Sequence, residues 1–276
     1  MPPYSFACHT RAWKTERWEE ALEEIAGLGY AGAEGVPALF ELYADKTEMA
    51  RKHLQERNVK LAALAGEGEF THPDRREEIL RRISALAAFL QKLDSHHLVV
   101  ETGPRAVVES ISQDFKVMAA TLDELGKRCL DYHDVYLCVM PRRGSRIENG
   151  DEIDRLMNRV DLDAVFLGMD TGHFARSEED PADILKTYGE CVRHLHFSDP
   201  VREVEEVRPR GDEPPSYGGL GQGTMNFPAI RRLLEEIDYR GWITVVFDAG
   251  RETPRETAGR SKAFLNQLFG MGEQIP

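Results

Sequence analysis

Eight short apolar runs recur along this chain, separated by longer stretches with a helical stripe. That alternation restricts the fold more than any single motif. The runs are Ser5–Cys8, Gly32–Glu34, Lys60–Leu64, His97–Glu101, Tyr136–Met140, Val165–Asp170, Val192–Phe197 and Trp242–Phe247. Between them, Trp18–Leu28 places Trp18, Leu22 and Ile25 on one face, and Arg75–Leu93 does so with Ile79, Ile83, Leu86 and Leu90. Spacings of three and four residues mark amphipathic helices. Pro228–Ile237 opens with a proline in its first turn, where a missing N–H costs little, and Pro254–Phe269 supplies a final helix. Strands that alternate with helices imply a parallel sheet. Eight such units close into a barrel, so the expected fold is α/β, a single (β/α)8 TIM barrel over residues 1–276. A doubly wound sheet usually uses fewer strands, and no Gly-rich dinucleotide fingerprint follows the first run.

The length of 276 residues suits one such barrel, and no Pro/Gly/Ser linker divides it. A formal charge of −13 argues against nonspecific nucleic-acid binding, which draws its affinity from clustered positive charge. No apolar stretch is long enough to span a membrane, and Met1–Trp13 lacks the apolar core of a signal peptide. Cys8, Cys129, Cys138 and Cys191 are scattered without a CxxC pair, and read as buried reduced thiols. The expectation is a cytoplasmic protein.

Residues at the carboxyl ends of barrel strands point into the site. Here these are Glu34, Glu101, Asp170, His196 and Asp248, with His9 after the first strand and Glu67 and Glu69 after the third. A polar residue at one strand end is ordinarily the start of a loop, but the same pattern on most strands points to a pocket. Asp170-Thr-Gly-His173 ends a buried run, where a carboxylate either serves the chemistry or caps the next helical turn. Of His194-Leu-His196, only one ring is expected to face the barrel interior, and His196 is taken as that one. Asp199 follows closely and is a candidate to orient a histidine. Arg142-Arg143-Gly144-Ser145-Arg146 suits a phosphate or carboxylate, or else forms a solvated loop paired with acids. The segment Pro200–Met225, rich in Pro and Gly, is the longest irregular stretch, a length that is usually functional or disordered.

At these residues the chain resembles the xylose isomerase-like barrel superfamily, and within it the sugar-phosphate isomerase/epimerase branch. The resemblance rests on Gly29-Tyr-Ala-Gly-Ala-Glu34, Asp170-Thr-Gly-His173 and His194-Leu-His196-Phe-Ser-Asp199, followed in order by Gly221-Gln-Gly223, Asn226-Phe-Pro228 and Gly241-Trp-Ile-Thr-Val. It implies a divalent metal held by a strand-five Glu (or His), the strand-six Asp, a strand-seven His and a strand-eight Glu. Asp170 and His196 match the middle two, and are the metal ligands the resemblance implies. Met140 and Val246 stand at the outer two, where the resemblance implies residues that also shuttle the proton. Mg2+ and Mn2+ favour several oxygen ligands, so the expectation is no cofactor or a weakly bound divalent metal (Mn, Mg or Zn), with Asp248 or Glu101 as partial substitutes. The resemblance also implies a homodimer as one assembly.

Two functions follow. The first is an enzyme acting on a sugar or related polyhydroxy carbonyl compound by isomerisation, epimerisation or dehydration, through proton removal next to the carbonyl. Its catalytic candidates are His196, Asp170, His173, Glu101 and Asp199, and its substrate-binding candidates are His9, Glu34, Glu67, Arg142, Arg143, Arg146 and Asp248. The second is a non-catalytic or repurposed barrel that binds a sugar-like metabolite or serves as a partner subunit. An endonuclease IV-like role needs more metal ligands and a positive DNA face. Partners are therefore expected to be small sugar-like molecules, with neither nucleic acid nor membrane.

Overall fold

The computed structural model describes residues 4–105, 111–201, 217–250 and 252–271. Its strands are β1 (Ser5–His9), β2 (Gly32–Gly35), β3 (Lys60–Glu67), β4 (His97–Glu101), β5 (Tyr136–Val139), β6 (Val165–Asp170), β7 (Val192–Pro200), β8 (Tyr217–Gly218) and β9 (Trp242–Val246). The first seven and β9 are the eight runs read from the sequence. They pair in parallel around a closed ring, in which β6 meets β7 and β9 joins β7 to β1. The fold is an α/β TIM barrel. The short β8 lies outside the ring, antiparallel to the end of β7 through Asp199↔Gly218 and Pro200↔Tyr217.

The helices are α1 (Trp18–Gly27), α2 (Ala38–Tyr43), α3 (Thr47–Glu56), α4 (Arg76–Lys92), α5 (Ile111–His133), α6 (Gly150–Met157), α7 (Thr171–Arg176), α8 (Pro181–Tyr188), α9 (Phe227–Glu236) and α10 (Pro254–Leu268). Their apolar stripes bury Trp18, Leu22 and Ile25 of α1 and Ile79, Ile83, Leu86 and Leu90 of α4. These pack against the outward faces of the strands to form the main core. Ala63, Val99, Cys138 and Phe166 of β3 to β6, with Met140 just past β5, make a second buried cluster. All four cysteines are free thiols, but Cys191 is half-buried rather than buried as expected. Among the described residues, no helix is long and apolar enough to cross a membrane.

Two irregularities bear on the site. The β2–β3 register shifts between Ala33 and Glu34, and the β6–β7 register shifts between Leu167 and Gly168. Such bulges re-aim side chains at the rims of barrels. Of Pro200–Met225, residues 202–216 lie outside the described residues. The end of that stretch is tied down by Asp199, whose carboxylate accepts N–H bonds from Gly221 (2.8 Å), Gly223 (2.9 Å) and Met225 (3.1 Å). A Cβ on Gly223 would collide with that carboxylate. Replacing Asp199 by Ala should therefore lower unfolding free energy by about 1.5–3 kcal/mol, the range for hydrogen bonds to a charged group. A urea midpoint matching wild type would show that the anchor contributes nothing.

Candidate active site

Strands β1, β2, β6 and β7 bring five buried side chains together: His9, Glu34, Asp170, His194 and His196. Glu34 is fully buried, and its two oxygens are shared between two imidazoles. His194 Nε2 lies 2.7 Å from Oε2 and His196 Nε2 lies 2.8 Å from Oε1. Both histidines of His194-Leu-His196 thus face the barrel interior, against the expectation of only one. Residues two apart on a strand share a face, and period two was the signal that identifies His194. His9 joins from β1, with Nε2 3.9 Å from Glu34 Oε1 and its ring 5.7 Å from that of His196. Its Nδ1 accepts the N–H of Arg11, which fixes the ring.

On the other side of His196, Nδ1 stands 3.4 Å from Asp170 Oδ2. Asp170 Oδ1 accepts the N–H groups of Gly172 and His173, each at 3.0 Å, and the Ser198 hydroxyl. Asp170 is therefore the N-cap of α7 as well as a neighbour of the imidazole. The same cap sets His173 at the mouth, where its Nδ1 lies 3.0 Å from the Tyr217 hydroxyl. Close approach is needed here, because a Cβ on Gly172 would run into Ser198 Oγ and the Tyr217 ring. Tyr217 comes from β8, at the end of the long irregular stretch, and no periodicity or motif marks it in the sequence.

The rim carries two ion pairs. Arg142 Nη1 donates to Glu101 across the ends of β4 and β5, and Arg11 pairs with Asp248 at 3.1 Å. Asp248 also accepts the N–H of Tyr217 at 3.1 Å. The remaining residues singled out from the sequence stand elsewhere. Arg146 pairs with Asp114 at 2.6 Å, Arg143 is exposed, Glu67 is exposed and pairs with Arg82 at 3.6 Å, and Glu69 pairs with Arg75 at 2.9 Å. Asp199 holds the Gly221–Met225 backbone rather than a histidine. At the two outer positions of the resemblance, Met140 is buried in the second cluster and Val246 is buried at the end of β9.

Burial divides the charge states. It pushes His9 and His97 down to about 3, and it also lowers His173 and His194. For His196 burial opposes the charge, but Glu34 and Asp170 on either side raise it to about 10. Glu34 is buried too, yet His196 and His194 hold it well below the usual carboxylate range. Asp170 is held low against burial by His173, His196 and Ser198.

These shifts give stability a pH dependence. The unfolded chain has ordinary histidine values of 6.5, so between 6.5 and about 3 it binds more protons at His9 and His97 than the folded chain does. Stability therefore falls as pH drops through that window. Glu34 and Asp170 add to the loss at lower pH, since their stabilisation exists above the ordinary carboxylate range and disappears as they are protonated. His196 has the opposite sign: its contribution is complete below 6.5 and is lost as pH rises towards about 10. Thermal melts should peak near neutrality and fall on both sides. A melting temperature that is flat from about pH 4 to about pH 9 would contradict these assignments.

Ligand atoms of Glu34, His194 and His196 all lie within 4.8 Å of one another, and this is the described group with the makings of a metal site. A parallel barrel with buried carboxylates and imidazoles at the carboxyl ends of its strands is the architecture of a TIM-barrel enzyme. The sequence model of the xylose isomerase-like TIM barrel family matches residues 22–268, and the chain belongs to that family. Its relatives include inosose dehydratases of Clostridium beijerinckii, 26% identical over 93% of this chain and 91% of that protein, and of Lacticaseibacillus casei, 27% identical over 94% and 92%. Its fold is shared with the 3-keto-D-glucoside 4-epimerase of E. coli, with a TM-score of 0.78 at 18% identity over 96% of this chain and 99% of that one. It is also shared with a D-allulose 3-epimerase from Methylomonas sp., with a TM-score of 0.79 at 18% identity over 96% and 97%. By family and by relatives the chain groups with enzymes of the isomerase, epimerase and dehydratase type.

Proposed function

We propose that this enzyme removes a proton next to the carbonyl of a polyhydroxy ketone, and that loss of water completes the reaction. The observation that carries this reading is the His173–Tyr217 pair, 3.0 Å apart at the barrel mouth. Burial, helped by the Arg142 guanidinium, outweighs the opposing pull of Asp170 and lowers the His173 value, so its imidazole is neutral at pH 7 and is a competent base. The Tyr217 hydroxyl, pushed up by burial and by Asp170, keeps its proton and orients the ring.

In the proposed step the imidazole takes the proton from the carbon beside the carbonyl. The C–H electron pair forms a carbon–carbon double bond, and the carbonyl oxygen becomes an enediolate oxyanion. Return of that charge to the carbonyl expels the hydroxyl on the next carbon, which leaves as water with the proton that His173 took up. Atoms and electrons balance without an oxidant. Proton return to carbon instead gives epimerisation or isomerisation. Dehydration is favoured because the full-length relatives above are inosose dehydratases, and a ketone of a cyclic polyol is the substrate class this suggests. The donor set at the four metal positions of the resemblance does not suit a divalent cation, since Met140 offers a thioether and Val246 offers none. The chemistry proposed here runs on the chain's own residues.

The test is incubation with inosose in D2O, followed by ultraviolet absorbance of the enone product and by deuterium entry into recovered substrate. Ketohexoses and 3-ketoglucosides serve as comparison substrates. Dehydration or exchange is expected with at least one ketone. Neither reaction with any of them would overturn the catalytic reading. Met140 and Val246 favour a second reading, a repurposed barrel that binds such a ligand without turnover. A thermal shift by the same ketones with no exchange would support it.

A further inference from the structure

Proton removal next to a carbonyl needs a cation or donor where the oxyanion develops. The divalent metal that the resemblance implies would supply it. Here the two surviving metal positions have their polar atoms already engaged. His196 presents one ring nitrogen to Glu34 at 2.8 Å and the other to Asp170 at 3.4 Å. Asp170 Oδ1 accepts three donors. The deeper group is closed as well, because His194 Nε2 and His196 Nε2 each meet an oxygen of Glu34. A metal on His194 Nε2 would shift the ring proton to Nδ1, and histidine ligands almost always give that proton to an acceptor. His194 Nδ1 is buried with no hydrogen-bond partner.

A fixed cation stands at the mouth instead. Arg142 follows the Met140 position by two residues, and its backbone is held by a braced loop. Arg142 N–H donates to Ile147 O at 2.9 Å, and Ser145 Oγ donates to Arg142 O at 2.8 Å. The loops after β4 and β5 are cross-linked by Arg105 N to Gly144 O (2.9 Å), Arg146 N to Gly103 O (3.1 Å) and Ile147 N to Thr102 Oγ1 (3.2 Å). Gly144 takes a φ of +81°, which closes the turn. The side chain is partly exposed, and among the described residues its one carboxylate partner is Glu101, through Nη1. A guanidinium has five donors in a planar fork, and among the described residues only Nη1 has a carboxylate partner. Arg143 is exposed and Arg146 is spent on Asp114, so of the three loop arginines Arg142 is the one at the site.

We propose that Arg142 takes the electrophilic role of the divalent cation, binding the carbonyl or enediolate oxygen in a site that holds no metal. This rests on the proton-abstraction reading above. The probe is threonohydroxamate, a polyhydroxy mimic of an enediolate that also chelates metals, titrated calorimetrically into the full-length protein before and after EDTA. Metal content is measured by mass spectrometry in parallel. Expected are well under one equivalent of any transition metal, binding unchanged by EDTA, and a roughly 10–100-fold weaker affinity in Arg142→Gln, the range for losing a charge-assisted hydrogen bond. Arg142→Lys should recover part of it, and circular dichroism of both variants controls for folding. One equivalent of bound metal whose removal abolishes hydroxamate binding would overturn the proposal. So would absence of binding to wild type, or full affinity in Arg142→Gln. Binding through Arg142 without exchange on any ketone would instead leave Arg142 assigned and defeat the catalytic reading.

Discussion

Changing His173 to Gln should lower turnover of the responsive ketone by roughly 10²–10⁴-fold, the usual contribution of a positioned acid–base group, with little change in ligand binding. Gln keeps a polar side chain of similar reach but cannot take up the proton. The pH profile offers a finer check. A base must be unprotonated, so kcat/KM should rise with pH, and because burial and Arg142 lower the His173 value the plateau should begin below the ordinary histidine value of 6.5. Removing the Arg142 charge should move that limb to higher pH. Tyr217→Phe removes the partner 3.0 Å away and should produce a smaller loss, since the imidazole remains. A His173→Gln enzyme with more than half of wild-type turnover would exclude His173 as the base.

The second large effect is on stability. Glu34→Ala should destabilise the fold by about 3–5 kcal/mol, as expected when one partner of a buried ion pair is removed. The loss is of this size because Glu34 is the shared acceptor of His194 and His196 and holds the positive charge on His196 jointly with Asp170. Among the described residues, loss of Glu34 leaves His196 with a carboxylate on one side only and His194 with no close carboxylate. Glu34→Gln preserves volume and one acceptor oxygen, and should fall between wild type and Ala. The measurement is urea denaturation at pH 7 and at about pH 5. A change below about 1 kcal/mol, the scale of a surface ion pair, would show that the Glu34 charge is not coupled to the imidazoles.

The barrel was legible because its signal is repeated and local. Each strand needs a short apolar run buried on both faces, and each helix needs a stripe such as Ile79, Ile83, Leu86 and Leu90, so eight repetitions reinforce one another. Strand-end residues were legible for the same reason. Asp170 ends β6, Glu34 stands next to the end of β2, and His196 lies midway along the longer β7, in register with Asp170. Topology directs strand-end residues to one face. The roles within that set were not legible. Asp170 reads equally well as a helix cap or a chemical group, and the structure makes it both. His194 was available from period-two alternation, but its partner Glu34 is 160 residues away.

What the sequence determined by itself is therefore the alternation that builds the barrel, its carboxyl-end ring of polar residues, and the absence of acids at Met140 and Val246. Tertiary structure alone decided which of those polar residues meet. It turned Glu34 into the acceptor shared by two histidines, assigned Asp199 to the backbone of Gly221, Gly223 and Met225, sent Glu67 and Arg146 to other partners, and set Tyr217 against His173. The physical reason is that periodicity is a property of neighbours along the chain. Hydrogen-bond partnership and burial, which fix charge state, depend on distances across the barrel that only closing the ring establishes.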